Sequence, residues 1–256
     1  MNSNKLDIIL VLTEKELKAK YKRSFLGYVW SLINPLLMSL VIYVAFSEIM
    51  KFRIENYVFY LLTGLFVWQW IVVTVNNSLY SYLHNATIIK KTNFDRKLLN
   101  IAVLNSESLH FLASLPVLFL VFIISYNINA IDMNKFANIL LFPLVFFTTY
   151  IFLLGISLIV SAINVIFRDI ERITGILLQI LFYTSPIVYP KDLPPEKYRI
   201  ILELNPITHI VGLWRALFID NLNAKEVIIV LIIAIATISL GLFIHEKLKY
   251  KVVEYL

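Results

Sequence analysis

Residues 21–46 read YKRSFLGYVWSLINPLLMSLVIYVAF. Lys22 and Arg23 stand just ahead of Trp30, and from Leu32 to Phe46 no side chain is charged. A helix on the surface of a water-soluble protein backs its apolar stripe with polar residues. This run is apolar all round, so it needs apolar surroundings in every direction. A lipid bilayer supplies them, with the cations left in water and the tryptophan at the boundary.

The rest of the chain fits the same solvent. Hydrophobic residues make up 59% of the 256 and charged residues only 16%, and mean hydropathy is +0.79, outside the range of ordinary globular domains. The absence of cysteine excludes disulfides, thiolate catalysis and Cys-based metal sites. Near the start, the apolar run Ile8–Leu12 follows Asp7 and is too short for the core of a signal peptide, so insertion without cleavage is expected.

Charge-poor runs at 31–50, 57–80, 111–126, 139–167, 173–189 and 227–244 predict six membrane spans in an all-α protein. The third run is short and borrows from Leu104 onward. Pro143 marks a kink or a late start in the fourth. With both termini inside, the acids and bases of the outer segments cancel. The whole net charge of +6 then falls on the inner side, as the positive-inside rule requires. That basic excess reports orientation toward anionic headgroups, and no nucleic-acid signature competes with it.

The chain reads as one transmembrane domain, 1–256, with three structured connections. In the N-terminal segment, 1–30, Thr13 and Glu16 form a capping box that predicts a helix start. Leu17, Tyr21, Phe25 and Tyr28 recur at helical spacing among lysines, which predicts an amphipathic helix in the inner headgroup layer, with Gly27 turning the chain into the first span. A plain positive-inside anchor would carry the same cations. In the inner loop, 84–100, basic residues alternate with Ile88, Ile89, Phe94, Leu98 and Leu99, which must dock either on the chain's own spans or on a partner.

The outer connection, 190–225, predicts two short helices lying on or dipping into the outer face. Pro195 opens the first. Asn205–Pro206 is a cap followed by proline at the first helical position, and Asn221 can end the second. In that second helix Ile207, Ile210, Val211, Trp214, Leu217 and Phe218 share a face. The pair can cap a pathway or simply cover exposed span ends.

Several chemistries are missing. The six glycines are too dispersed for a phosphate-binding loop of the G-x-x-x-x-G-K-[ST] kind. The four histidines are scattered, without metal-ligand spacing. The polar groups within spans are mild: Asn34, Gln69, Asn76, Asn77, Asn164 and Gln179, suited to hydrogen bonding between helices. Aromatic residues reach 14%; most suit the interfacial belts, and any facing a pore could stack on sugar rings. The residues themselves thus lead to a six-span transport subunit without its own energy source.

Five segments in order carry a family resemblance: YKRSFLGYVWSLINPLL (21–37), IIKKTNF (88–94), NVIFRDI (164–170), SPIVYP (185–190) and LNPITHIV (204–211). Together they resemble the membrane subunit of type-2 ABC exporters of polysaccharides, the O-antigen and teichoic-acid exporter permeases. The resemblance implies a homodimer in the bacterial inner membrane, surrounded by membrane lipids, with both termini cytoplasmic. It implies a separate ABC ATPase that binds ATP and Mg, leaving this chain without cofactor or catalytic group, and a lipid-linked polysaccharide moved outward.

It further implies roles for particular residues. Ile88, Ile89, Lys90, Lys91, Phe94, Arg96, Arg168 and Asp169 would meet the ATPase. Tyr43, Phe46, Phe59, Tyr60, Tyr183 and Tyr189 would be channel aromatics, and Pro206, His209, Trp214 and Arg215 would belong to an outer gate. One departure stands out. The family commonly reads Phe-Pro-Arg and a further proline in the coupling segment, whereas Phe94 is followed by Asp95 and Asn100 holds the second proline position. The alternatives are a related exporter of drugs or small lipids, and a membrane-embedded enzyme using His110 or His209.

Overall fold

The structure, a computed structural model, describes residues 3–21, 29–51, 54–92, 94–125, 138–219 and 222–256. The expectations for Lys22, Arg23, Phe25, Gly27, Tyr28 and Asn221 fall outside them. Among the described residues there is no strand. The chain runs α1 (Ser3–Tyr21), α2 (Val29–Tyr43, continued by a π-helical turn Val44–Ile49), α3 (Tyr57–Leu79), α4 (Ala86–Lys91), α5 (Lys97–Ser125), α6 (Phe142–Ile166), α7 (Ile170–Tyr183), α8 (Glu196–Leu204), α9 (Pro206–Ala216) and α10 (Ala224–Tyr255).

Five of these are long and apolar enough to cross a membrane: Leu32–Ile49 and the whole of α3, α5, α6 and α10. The expected span at 173–189 is not among them. Its helix, α7, has 14 residues and rises about 21 Å, short of the ~30 Å hydrocarbon layer. Turns follow from Thr184. The ends of this segment nonetheless meet opposite ends of α3. Glu171 accepts the hydroxyl of Tyr80 and pushes that phenol's pKa up, while Tyr57 donates to the Val188 carbonyl at 2.8 Å.

Other contacts fix the two ends of the bundle. At one, here called the basic end, Asn164 of α6 donates to the Leu79 carbonyl at 2.9 Å, and His245 of α10 meets the Tyr82 hydroxyl at 2.9 Å. Lys15 of α1 donates to Asn85 there. At the far end the Tyr43 and Tyr57 rings lie 6.3 Å apart, and Asn138 reaches the Ala216 carbonyl at 3.1 Å. The first and last described elements, α1 and the C-terminal half of α10, therefore share the basic end.

The helices start and stop for local reasons. Pro143 lies in the first turn of α6, where its missing N–H is harmless, so it marks a late start. At Asp95 the departure from Phe-Pro-Arg acts as a cap, its carboxylate accepting the Lys97 amide at 3.2 Å where α5 begins. The capping box at Thr13 is overridden, since α1 already runs from Ser3. Ile8, Ile9 and Leu12 dock on an apolar cluster with Tyr82, Ile89, Leu98, Leu99 and Val252, which rewards continuing the helix toward the N-terminus. Thr13 lies buried within it.

Two packing features hold the core. Gly155 of α6 lies against Thr237 and Gly241 of α10, where a Cβ on Gly155 would stand 2.5 Å from the Thr237 carbonyl carbon. This is the close approach that small residues permit between membrane helices. Around α3, Trp70 stacks 4.4 Å from Phe111 and 5.3 Å from Phe146, and Trp214 of α9 meets Phe111 edge-on at 4.9 Å.

Candidate functional site

A groove of about 370 Å³ opens between α2, α3 and α7. It follows α3 from Leu65 to Asn76, about 16 Å at helical rise. Asn34 comes from α2, Gln69 and Asn76 from α3, and Gln179 from α7, beside Trp68, Phe182 and Tyr183. The Trp68 and Phe182 rings lie 5.5 Å apart. Among the described residues none of these four amides is tied to another group of the chain. They are not the interhelical glue expected of them. Asn77 and Asn164 are: Asn77 donates to Glu107 at 2.6 Å, and Asn164 to Leu79 as above. The placement of an amide and an aromatic on each of α3 and α7 was the missed signal, because Gln69 and Gln179 share a groove only once the two helices are paired.

At the basic end the inner loop sorts into two faces. Ile89, Leu98 and Leu99 are buried in the cluster that also holds Leu12, and Phe94 packs against it, so the apolar residues dock on the chain's own helices. Lys90 and Lys91 are exposed, as are Arg168 and Asp169 in the turn between α6 and α7, while Ile88 is half-buried. Arg96 donates to the Lys249 carbonyl of α10. Asn100, at the family's proline position, is fully buried. Its amide oxygen accepts from Ser81 at 2.7 Å and its amide nitrogen donates to Tyr82 at 2.8 Å. Burial pushes the Tyr82 phenol's pKa up.

α1 is clamped onto this end by two lysines. Lys15 donates to Asn85, whose own amide donates to the Ser81 carbonyl at 2.7 Å. Lys20 pairs with Glu107, a carboxylate only 4% exposed. The backbone carbonyl of Asn85 also accepts from the Ile88 and Ile89 amides at 3.0 Å, so the start of α4 and the middle of α1 meet at one residue.

At the far end the two short helices differ, and of the two expected placements, lying on the face or dipping into it, the second helix takes the latter. α8 is exposed along most of its length, but α9 is buried from Ile207 to Val211 and again from Leu213 to Ala216. It is a wedge in the bundle, and it does not lie on the surface. Asn205 caps it through the Ile207 amide at 2.9 Å, with Pro206 in its first turn. Polar groups of α9 bond within the chain, His209 Nε2 meeting the Glu203 carbonyl at 2.8 Å and Trp214 donating to Thr149 at 3.0 Å, whereas the Thr208 hydroxyl and His209 Nδ1 are buried without a hydrogen-bond partner. Arg215 donates to the carbonyls of Pro186 and Ile187 and to the Tyr60 hydroxyl, with its guanidinium 3.5 Å over the Tyr60 ring.

The expected aromatics separate accordingly. Tyr183 lines the groove. Phe59 is fully buried, 5.2 Å from Phe122, which removes it from any surface a solute could touch. Tyr60 is occupied by Arg215, and Tyr189 donates to the Tyr183 carbonyl at 2.8 Å, its pKa raised by burial. Tyr43 and Phe46 are half-buried against the core at the far end. Neither His110 nor His209 lines the groove.

Comparison with known proteins bears on this arrangement. A family model described as ABC-2 type transporter matches residues 8–219. An O-antigen export system permease protein, RfbA, of Klebsiella pneumoniae is 39% identical over 251 residues, covering 98% of this chain and 95% of that protein. The protein of the same name in Myxococcus xanthus is 31% identical over 84% of this chain and 81% of its own length. The polysialic acid transport protein KpsM of Escherichia coli is 26% identical over 78% and 77%.

Proposed function

The chain belongs to the ABC-2 type transporter family, and on that premise we propose that it is the membrane subunit of an exporter carrying a lipid-linked polysaccharide of O-antigen type outward across the bacterial inner membrane. Family membership makes it a multi-pass membrane permease paired with an ABC ATPase. ATP and Mg bind on that partner, and this chain supplies the path.

The observation that carries the reading is the groove. Four amides without partners could not be left facing lipid, where an unsatisfied polar group is costly. A second copy set against α2 and α7 would enclose them in a shared channel. Amides that both donate and accept suit sugar hydroxyls, and Trp68, Phe182 and Tyr183 offer rings for stacking.

Orientation and coupling follow from the two ends. The basic end faces the cytoplasm by the positive-inside rule. α1 and the end of α10 share it, so the number of crossings between them is even, and residues 170–188 supply the crossing that α7 alone is too short to make. Lys90, Lys91, Arg168 and Asp169 form the exposed surface offered to the ATPase. The far end, with α8 and α9, faces outward.

The test is a chromosomal deletion complemented in trans. Wild-type protein should restore surface polysaccharide and co-purify with a nucleotide-binding subunit. Trp68→Ala with Gln179→Ala should keep the subunit and lower surface polysaccharide at least tenfold. Restored export in the double variant would remove the groove from the path.

A further inference from the structure

The groove's lining is uncharged. Its walls are amides, aromatics, Pro35, Met38, Leu65, Val72, Gly175 and Leu178, and among the described residues no Asp, Glu, Lys, Arg or His contributes to them. Resting on the export reading above, we infer that this groove selects an uncharged glycan and discriminates against one bearing carboxylates, with Gln69 and Gln179 as the residues that read its hydroxyls.

The chemistry runs as follows. A hydroxyl donates one hydrogen bond and accepts others, and a primary amide does the same, so either partner can turn to suit the other. Neutral sugars can therefore exchange water for Asn34, Gln69, Asn76 and Gln179 with little net loss. A uronate or sialate carboxylate brings a full charge into a channel walled by low-dielectric side chains. An amide N–H can bond it but cannot neutralise it.

Among the described residues no cation lines the groove. Arg172 precedes Gly175 by one helical turn and lies outside the lining. Arg215 is buried and committed to the carbonyls of Pro186 and Ile187. Closing the groove with the same face of a second copy would repeat this uncharged lining.

The experiment uses the complex with its ATPase in proteoliposomes. ATP-dependent movement is compared for a lipid-linked mannose oligosaccharide and for one of equal length carrying glucuronate at alternate positions. Wild-type complex should move the mannose probe at least tenfold faster, and Gln69→Lys with Gln179→Lys should cut that ratio to threefold or less. Equal rates for the two probes in wild type would overturn the inference while leaving the export reading intact. So would a ratio that the lysine variants leave unchanged. Movement of neither probe by a complex that still hydrolyses ATP would overturn the export reading, and the inference with it. Should the lysine variants fail to assemble, the wild-type ratio decides by itself.

Discussion

Gly155 of α6 and Gly241 of α10 touch through their backbones: a Cβ built on Gly241 would stand 2.5 Å from the Gly155 carbonyl oxygen. The obstructing atoms are main chain, which cannot swing aside as a flexible side chain would. Gly155→Ala or Gly241→Ala should therefore destabilise the subunit by about 1–3 kcal/mol through overpacking, although alanine favours a helix interior by about 1 kcal/mol. Thermal unfolding in detergent reads the sign. A raised melting temperature in either variant would show that the helices part freely at this point.

The Lys20–Glu107 pair should respond unequally to loss of its two members. Glu107 is 4% exposed and Lys20 30%. Lys20→Met leaves a buried carboxylate with only Asn77, at a cost of about 3 kcal/mol. Glu107→Gln leaves an ammonium that can turn to water, at about 1 kcal/mol. Equal losses, or the reverse order, in chemical denaturation would mean that Glu107 is solvated in some way the packing does not show.

Arginine at 215 should resist its conservative replacement. One guanidinium serves three carbonyls, of Tyr60, Pro186 and Ile187, and the Tyr60 hydroxyl, a fork that a single ammonium cannot reproduce. Arg215→Lys should cost about 2–3 kcal/mol by leaving buried acceptors unpaired, and Tyr60→Phe about 1 kcal/mol. Limited proteolysis near Tyr189 offers a local readout: cleavage should quicken in Arg215→Lys, and an unchanged rate would count against the clamp.

The inner loop should divide by face. Lys90→Glu with Lys91→Glu changes only exposed side chains, so stability should stay within about 0.5 kcal/mol, while the ATPase no longer co-purifies. Ile89→Asp puts a charge into the cluster at a 4%-exposed position and should abolish stable expression. Retained ATPase in the double lysine variant would move the docking surface elsewhere, with Arg168 and Asp169 the next to test.

The membrane helices were legible in the sequence because each contains a long run without charge, and Asn205–Pro206 announced α9 by its cap. Three things were not. The spacing of α9 left open whether it lies on the face or dips into it, and the structure buries it with His209, Trp214 and Arg215 bonded inside the chain. The capping box at Thr13 is a local rule, and it yielded to the docking of Ile8, Ile9 and Leu12 on residues far along the chain. The groove needed Gln69 and Gln179 on paired helices, and no spacing within one helix reports that. Phe59 and Tyr183 were equivalent as letters; burial against Phe122 separated them.

The wedge at the far end limits how the protein can move. With Trp214 set among Trp70, Phe111 and Phe142 and Arg215 fastened to the loop beyond α7, α9 is anchored in the core and is not placed to swing as a flap. Swinging it outward would tear open the aromatic core, so it must travel as part of one rigid block with α3 and α6. Any opening at this end therefore carries the whole block with it, and not α9 alone.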